Sequence, residues 1–360
     1  MDQDSIVNAL LDFIASDDAS DALFNDVALQ NFEYQFKNNL PFRKFAQKRG
    51  KTLRTVKNWS DIPAVPINAF KTLDLSCAPL SKAKAVFMTS GTSLGNVRGK
   101  SYHPVLDVYD ASMRRNFQNR FMGNLERVQM GVLFPPPALM PNSSLAHYLN
   151  LAVGDFGLRN SRFFVGARGI EFSDLFDDLA RAEKSGEPYA LLGASFSFVH
   201  VIDEMAQRGK TFKLPLGSRI LDTGGFKGQS RELEADEFYD SLETAFGVAR
   251  SQCINMYGMT ELSSQFYDAG NAVCPSVKLG PHWMRTRVVN PLTGESLPDG
   301  EEGVLAHTDL AHFNICTTIL TEDIGIAADR GFQLLGRAAG AAGQGCSAAV
   351  DEFLKAAGDM

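Results

Sequence analysis

The chain has 360 residues, 44% of them hydrophobic, and a formal net charge of −7, enough for a large core or two unequal domains. No tract of five or more basic residues occurs, so the clustered cations that nucleic-acid binding needs are missing. The acidic start MDQDSIVNALLDFIASDD has no basic n-region, no apolar run approaches a membrane span, and the five cysteines are scattered without a CxxC pair; a reduced, cytoplasmic protein without signal, membrane helix, disulfides or zinc is the expectation.

The first part, 1–80, reads as a helical N-terminal region: IVNALLDFI has helical spacing and WSDIPAVPINAF is a proline-broken linker. From about residue 84 short apolar runs alternate with amphipathic segments. Strands are expected over 84–89, 127–134, 161–165, 189–193, 218–222 and 253–257, and helices over 104–122, 143–153, 171–184, 196–208 and 230–246. That alternation predicts an α/β fold with largely parallel strands. Residues 284–307 read as strand, turn-rich loop and strand, a small β subdomain. Residues 338–360, AAGAAGQGCSAAVDEFLKAAGDM, read as a Gly/Ala linker and a short helix carrying Cys346. The 26 phenylalanines read as core.

One loop bears on the chemistry. The strand AKAVFM runs into TSGTSLGNVRGKS, Thr89–Ser101. Its tail, Gly99-Lys100-Ser101, ends like a Walker loop, but the first glycine of that loop would stand at 94, which is Leu. Its head, Thr89, Ser90, Gly91, Thr92 and Ser93, gathers hydroxyls around one glycine and is able to donate several bonds to phosphate oxygens. Taken alone, the same run is equally a Ser/Thr-rich turn.

Three segments follow in order: NMYGMTELSS, Asn255–Ser264; TEDIG, Thr321–Gly325; and Gly336-Arg337. With the Ser/Thr loop and NPLTGESLPDGEEGVLAHTD, they resemble the core motifs of the adenylate-forming (ANL) superfamily over roughly residues 60–340. The resemblance implies an ANL-type large domain of layered sheets and helices, with an adenylate-forming core over 81–337. It implies that Thr89 to Ser93 hold the ATP phosphates. TGGFKG, with Gly224, Gly225 and Phe226, would lie against the adenine, and Tyr257, followed by Gly258, would stack on it. Thr260 would contact phosphate, Glu261 would hold Mg²⁺, Asp323 would take the ribose hydroxyls, and Arg337 would touch ribose or phosphate at a hinge. Each residue type suits its role: Glu is a hard oxygen ligand, Asp makes charge-assisted bonds, and Arg is a fixed cation. The loop departs from the superfamily pattern at Leu94 and at Asn96-Val97, where Pro-Lys is usual. Only 23 residues follow Arg337, so the usual C-terminal lid domain and its lysine are expected to be lacking.

The short form resembles the acyl-protein synthetases of bacterial luminescence operons, the LuxE family, whose members carry an acylated cysteine near the C-terminus. GQGCS places Cys346 there, and PNSSL, Pro141–Leu145, looks like a family segment near the substrate pocket. SAAVDEFLKAA reads as a helix with Cys346 at its N-terminus, where the dipole lowers a thiol pKa, and the preceding glycines read as a flexible tether. Cys77, Cys253, Cys274 and Cys316 read as small buried residues. The implied activity is a two-step ligase using ATP and Mg²⁺. A long-chain fatty acid becomes acyl-AMP, with Lys100 or Arg98 neutralising the phosphates, and Cys346 then takes the acyl chain for delivery to a fatty acid reductase. An aryl- or acyl-CoA ligase of the phenylacetate type and a non-catalytic nucleotide-binding subunit are the alternatives.

Overall fold

The computed structural model describes residues 1–89, 97–226 and 228–358. Three helices open the chain. Gln3–Ala15 is capped by Asp2, which accepts from Ser5 N, and buries Ile6, Leu10, Phe13 and Ile14 at helical spacing. Asp21–Asn38 buries Phe24, Val27, Ala28 and Phe32, and Leu40–Lys48 starts on the Asn39 cap. Asn31, Gln35 and Asn39 are also buried, four residues apart and so on one face. Asn31 Nδ2 donates to Leu310 O at 2.9 Å, Gln35 Nε2 to Phe313 O at 2.9 Å and Asn39 Nδ2 to Ile315 O at 2.8 Å, while Gln35 Oε1 accepts from Thr317 N at 3.1 Å. These side chains satisfy the backbone of loop 310–317, which lets the loop be buried.

The stretch expected to be a linker is instead built into the fold. Trp59–Asp61 is a 3-10 turn, Val65–Pro66 is a strand parallel to Ile319 and Leu320, and Ala69–Thr72 is a single helical turn. Pro66 is tolerated because the strand lies at an edge.

The chain divides into two compact units: Met1–Arg115 with Met259–Gln265 and Leu279–Met360, and Asn116–Gly258 with Phe266–Lys278. The first contains an antiparallel sheet in the order Gly331–Arg337, Thr318–Ala328, Glu302–Asp309, Met284–Val289, to which Val65–Pro66 adds in parallel. It also holds the hairpin Ala85–Met88 with Lys100–His103 and the helix Gly340–Gly358. The second has a six-stranded sheet in the order Phe266–Tyr267, Cys253–Tyr257, Arg219–Thr223, Tyr189–Ala194, Gln129–Leu133, Arg162–Phe163, parallel except for its first pair. Helices Phe172–Ser185, Ser195–Gln207 and Ala235–Phe246 bury Phe176, Phe198 and Phe246 in a core shared with Leu191 and Ile220 of that sheet. The architecture is the expected α/β one, with the β-rich part in the first unit. Two expected elements break: helix 104–122 is Asp107–Phe117 followed by a π turn, Gln118–Met122, and strand 161–165 is two short strands, Arg162–Phe163 and Val165–Gly166.

Candidate active site

The hairpin pairing runs one step past Met88 and Lys100. Thr89 N donates to Gly99 O at 3.0 Å, and Gly99 N donates to Thr89 Oγ1 at 2.9 Å. These bonds close the neck of the Ser/Thr loop; Ser90, Gly91, Thr92 and Ser93 lie outside the described residues. A Cβ on the buried Gly99 would stand 3.2 Å from Thr89 Cγ2, 3.4 Å from Glu261 Oε1 and 3.4 Å from Phe70 Cβ. The Glu261 carboxyl therefore rests against the neck, in space that a side chain at 99 would crowd. Lys100 is engaged elsewhere: its Nζ lies 3.7 Å from Asp74 Oδ1 in an exposed pair, and Asp74 also accepts from Tyr102 OH at 2.6 Å. Arg98 is exposed.

The segment carrying Thr260 and Glu261 is pinned from below. Ser263 N and Ser264 N both donate to Asp309 Oδ2 at 2.8 Å, Ser264 Oγ donates to Asp309 Oδ1 at 2.8 Å, and Ala311 N adds a bond at 3.0 Å. With its one proton committed, Ser264 Oγ accepts from Ser112 Oγ at 2.8 Å and Trp283 Nε1 at 2.9 Å. Ser263 Oγ meets His312 Nδ1 at 2.9 Å. Burial pushes the Asp309 carboxyl up to about 6 against its four hydrogen bonds. At Glu261, which is 6% exposed, burial pushes the carboxyl up to about 7. Its own backbone N–H, Lys71 and Arg337 pull the other way, and Asp323 adds to the rise. Among the described residues no group of three His, Cys, Asp or Glu is placed to hold a metal. A Mg²⁺ ion at Glu261 would draw its other ligands from phosphate oxygens and water, its usual coordination beside a nucleotide.

Asp323 and Arg337 are cross-strand partners, with Arg337 Nε 3.8 Å from Asp323 Oδ1 and Arg337 Nη2 2.6 Å from Glu322 Oε2. Asn68 Nδ2 donates to the other oxygen of Glu322. Asp323 N donates to Thr321 Oγ1 at 3.0 Å.

Cys346 departs from expectation. Gly340–Gly358 is one helix, so the glycine run is helical rather than a tether, and Cys346 is the helix's seventh residue rather than its N-terminus. The reason is burial. Ala342, Cys346, Ala349 and Phe353 share a face at i, i+4, i+7 and i+11, and the first three pack against Val289, Val304, Ala306 and Leu320. That burial outweighs about 1 kcal/mol per interior glycine. Two further contacts dock the helix: Arg49 meets Glu352 with both nitrogens, at 2.9 and 2.5 Å, and the Phe45 and Phe353 rings stand 4.7 Å apart. Cys346 is 3% exposed and its Sγ donates to Thr321 O at 3.7 Å. Burial, then the nearby Glu322 carboxylate, pushes its thiol up to about 11. In this seat it is a thiol, not a nucleophile.

In the second unit, strands Arg219–Thr223 and Cys253–Tyr257 end side by side, with Thr223 Oγ1 donating to Met256 O at 2.7 Å. Gly224 and Gly225 follow with φ of +77° and +61°, a left-handed turn that suits glycine. Phe226 packs on Phe238 at 5.6 Å and Tyr257 on Phe266 at 5.9 Å; Gly258 is exposed, and Lys227 lies outside the described residues. Beneath these ends the buried Asp222 accepts from Ser195 Oγ at 2.8 Å, Asn255 Nδ2 at 2.9 Å and Tyr239 OH at 3.1 Å, and burial pushes it up to about 6. Asn255 N in turn donates to Asp268 Oδ1 at 3.0 Å, and Asp268 pairs with the buried Lys278 at 2.7 Å. In PNSSL, Ser143 caps the helix Ser144–Phe156.

The family model described as Acyl-protein synthetase, LuxE, matches residues 2–355. The chain belongs to this family. A relative of the LuxE-family chain, the long-chain-fatty-acid–luciferin-component ligase of Vibrio harveyi, is 24% identical over 300 residues, covering 82% of this chain and 76% of its own. A solved 2-hydroxyisobutyryl-CoA ligase in the postadenylation state, in complex with 2-HIB-AMP, superposes with TM-score 0.64 at 16% identity, covering 88% of this chain and 67% of its own. ATP-bound MatB from Rhodopseudomonas palustris gives TM-score 0.51 at 17% identity, covering 72% and 49%. The fold is that of the ANL ligases, and family and fold together make the chain a ligase of the adenylate-forming type. No helix among the described residues is long and apolar enough to cross a membrane. Of the expected site residues, the first unit carries Thr89, Lys100, Thr260, Glu261, Asp323, Arg337 and Cys346; the second carries Gly224, Gly225, Phe226, Tyr257 and Gly258. Asp309, Asp222 and Lys71 were not singled out, although Asp309 ends the segment NPLTGESLPDGEEGVLAHTD and Asp222 directly precedes TGGFKG.

Proposed function

We propose that the chain activates a long-chain fatty carboxylate with ATP, giving acyl-AMP and pyrophosphate, and then passes the acyl group to Cys346. The observation that carries the first step is the Glu261 carboxyl held on the neck of the Ser/Thr loop, within the fields of Lys71 and Arg337. In this reading the loop cradles the phosphates and Thr260 adds a contact. Asp323 takes the ribose hydroxyls. Mg²⁺ bound through Glu261 would supply charge neutralisation at the phosphates. A carboxylate oxygen of the fatty acid attacks the α-phosphorus, and the bond to pyrophosphate breaks.

In the second step the Cys346 thiolate attacks the acyl carbonyl and expels AMP, leaving a thioester for an acceptor such as a fatty acid reductase. A thiol raised to about 11 does not ionise at neutral pH, so this step needs the C-terminal helix to leave its seat. The test pairs two assays on the parent and on Cys346→Ser. With a fatty acid present, both proteins should exchange pyrophosphate into ATP, while only the parent retains labelled acyl chain. Equal retention by the variant would remove Cys346 from the reaction, and a parent that shows no acid-dependent exchange would remove adenylation.

A further inference from the structure

Residues 34–60 hold eight Lys or Arg and no Asp or Glu, so the net charge of −7 divides into +8 here and −15 elsewhere. The cations are interspersed rather than run together, and the helix Leu40–Lys48 sorts them by face. Phe42, Phe45 and Ala46 are buried, with the Phe42 ring 6.0 Å from Phe32 and the Phe45 ring 4.7 Å from Phe353. At about 100° per residue the opposite face carries Leu40, Arg43, Lys44, Gln47 and Lys48. Leu40 is 44% exposed, and Lys48 is exposed. Past the helix, Gly50 turns the chain at a φ of +67°, with its N donating to Gln47 O and Lys51 N donating to Ala46 O. A second turn follows, in which Thr55 Oγ1 accepts from Thr52 N at 2.8 Å and donates to Gly50 O at 2.8 Å. It presents Leu53, 43% exposed, and then the exposed Arg54. Asp61 Oδ2 accepts from Lys57 N at 3.2 Å and Asn58 N at 3.0 Å, which fixes the far end. Lys37 pairs with Glu33, Arg49 with Glu352 and Lys51 with Asp61. Among the described residues no acid stands within ion-pair distance of Arg43, Lys48, Arg54 or Lys57.

We propose that this strip docks the protein on an anionic bilayer surface, with Arg43, Lys48, Arg54 and Lys57 meeting lipid phosphates while Leu40 and Leu53 enter the headgroup region. Charge complementarity carries the first half. A negative surface attracts the strip and repels the −15 carried by the rest of the chain, so the protein approaches strip first. The leucines carry the second half. The phosphates of a nucleic acid would use the cations alone, whereas two exposed leucines set among cations gain free energy from an apolar layer. Both turns are held by backbone and side-chain bonds, so little ordering cost falls on binding. Docking also fits the substrate proposed above, because a long-chain fatty carboxylate partitions into bilayers.

The experiment sediments the full chain with large vesicles, either mixed phosphatidylglycerol and phosphatidylcholine or phosphatidylcholine alone, at about 0.1 M salt. Nucleotide and fatty acid are left out, so the result stands apart from the adenylation reading. The parent should bind the mixed vesicles, bind phosphatidylcholine alone at least about tenfold more weakly, and lose affinity as salt rises. Changing Lys48→Gln, Arg54→Gln and Lys57→Gln together should weaken binding by about a hundredfold, and Leu40→Ser with Leu53→Ser by about tenfold. A parent that stays in the supernatant with mixed vesicles overturns the proposal, and so does equal binding to both kinds of vesicle. A triple variant that binds like the parent overturns it too, since the attachment then lies elsewhere. Loss in the triple variant with the leucine variant unaffected overturns the bilayer, as does tighter binding to a random DNA duplex at the same salt; the strip would then be a polyanion site. If the triple variant does not unfold cooperatively in urea, Arg54→Gln with Lys57→Gln replaces it, with an expected loss of about thirtyfold.

Discussion

Glu261 combines burial, a glycine for a neighbour and a carboxyl pushed up to about 7, from an ordinary value of 4.5. Below 4.5 it is protonated in both folded and unfolded chains and has no effect on stability. Between 4.5 and about 7 the folded chain holds the extra proton, so stability falls as pH rises; above 7 the loss is constant. Glu261→Gln removes that slope. In nucleotide-free protein its urea midpoint should match the parent's near pH 4.5 and exceed it above pH 7, while pyrophosphate exchange drops by about a hundredfold or more. Parallel midpoint-against-pH curves would show that Glu261 is not the buried acid described. Thr89, Glu261, Asp323 and Arg337 could be picked out in advance because each sits in a short contiguous word of sequence. Asp309 ends one of those words, but its bonds to Ser263 and Ser264 join two distant stretches of chain, a pairing that no local pattern encodes.

At the scale of the element, the helix Gly340–Gly358 holds Cys346 shut. Phe353 is fully buried, and its truncation should cost about 3–5 kcal/mol of local packing, whereas the half-exposed Arg49–Glu352 pair contributes about 1 kcal/mol or less. Phe353→Ala should therefore speed alkylation of Cys346 by about two to three orders of magnitude, and Arg49→Ala by only a few-fold, as followed by peptide mass mapping at mildly alkaline pH. Gly343→Ala tests the opposite direction. A Cβ there meets Ala338 O at 3.4 Å, an ordinary contact, and helix propensity improves by about 1 kcal/mol. Alkylation should slow by about fivefold. At Gly345 a Cβ would fall 2.8 Å from Pro291, so the same substitution there would disturb the seat. The helix was misjudged from sequence because glycine at 340, 343 and 345 signals a tether locally. The strip of Ala342, Cys346, Ala349 and Phe353 signals a helix only when the sheet beneath it is known.

Across the whole molecule, the strands of the second unit were legible because apolar runs such as Tyr189–Ala194, buried along their length, alternate with amphipathic helices. The first unit was less so, since it is assembled from three separated stretches of chain. Its joints are side chains such as Gln35, which bonds both Phe313 O and Thr317 N, and Asn31, which bonds Leu310 O and leaves its own Oδ1 unpaired. Gln35→Leu strands two buried backbone groups and should destabilise the chain by about 2–4 kcal/mol, against about 1–2 kcal/mol for Asn31→Leu. Urea unfolding measures both, and equal losses would refute the difference argued from partner number.

Those joints also bear on synthesis. Asn31 and its acceptor are 279 positions apart. At ribosomal speed that is a wait on the order of tens of seconds, during which the amide face of the second helix has no partner. The second unit, close to continuous in sequence, can fold meanwhile. The nascent chain would thus complete its middle before its beginning, and the N-terminal helices are the part most in need of protection until the last strands emerge.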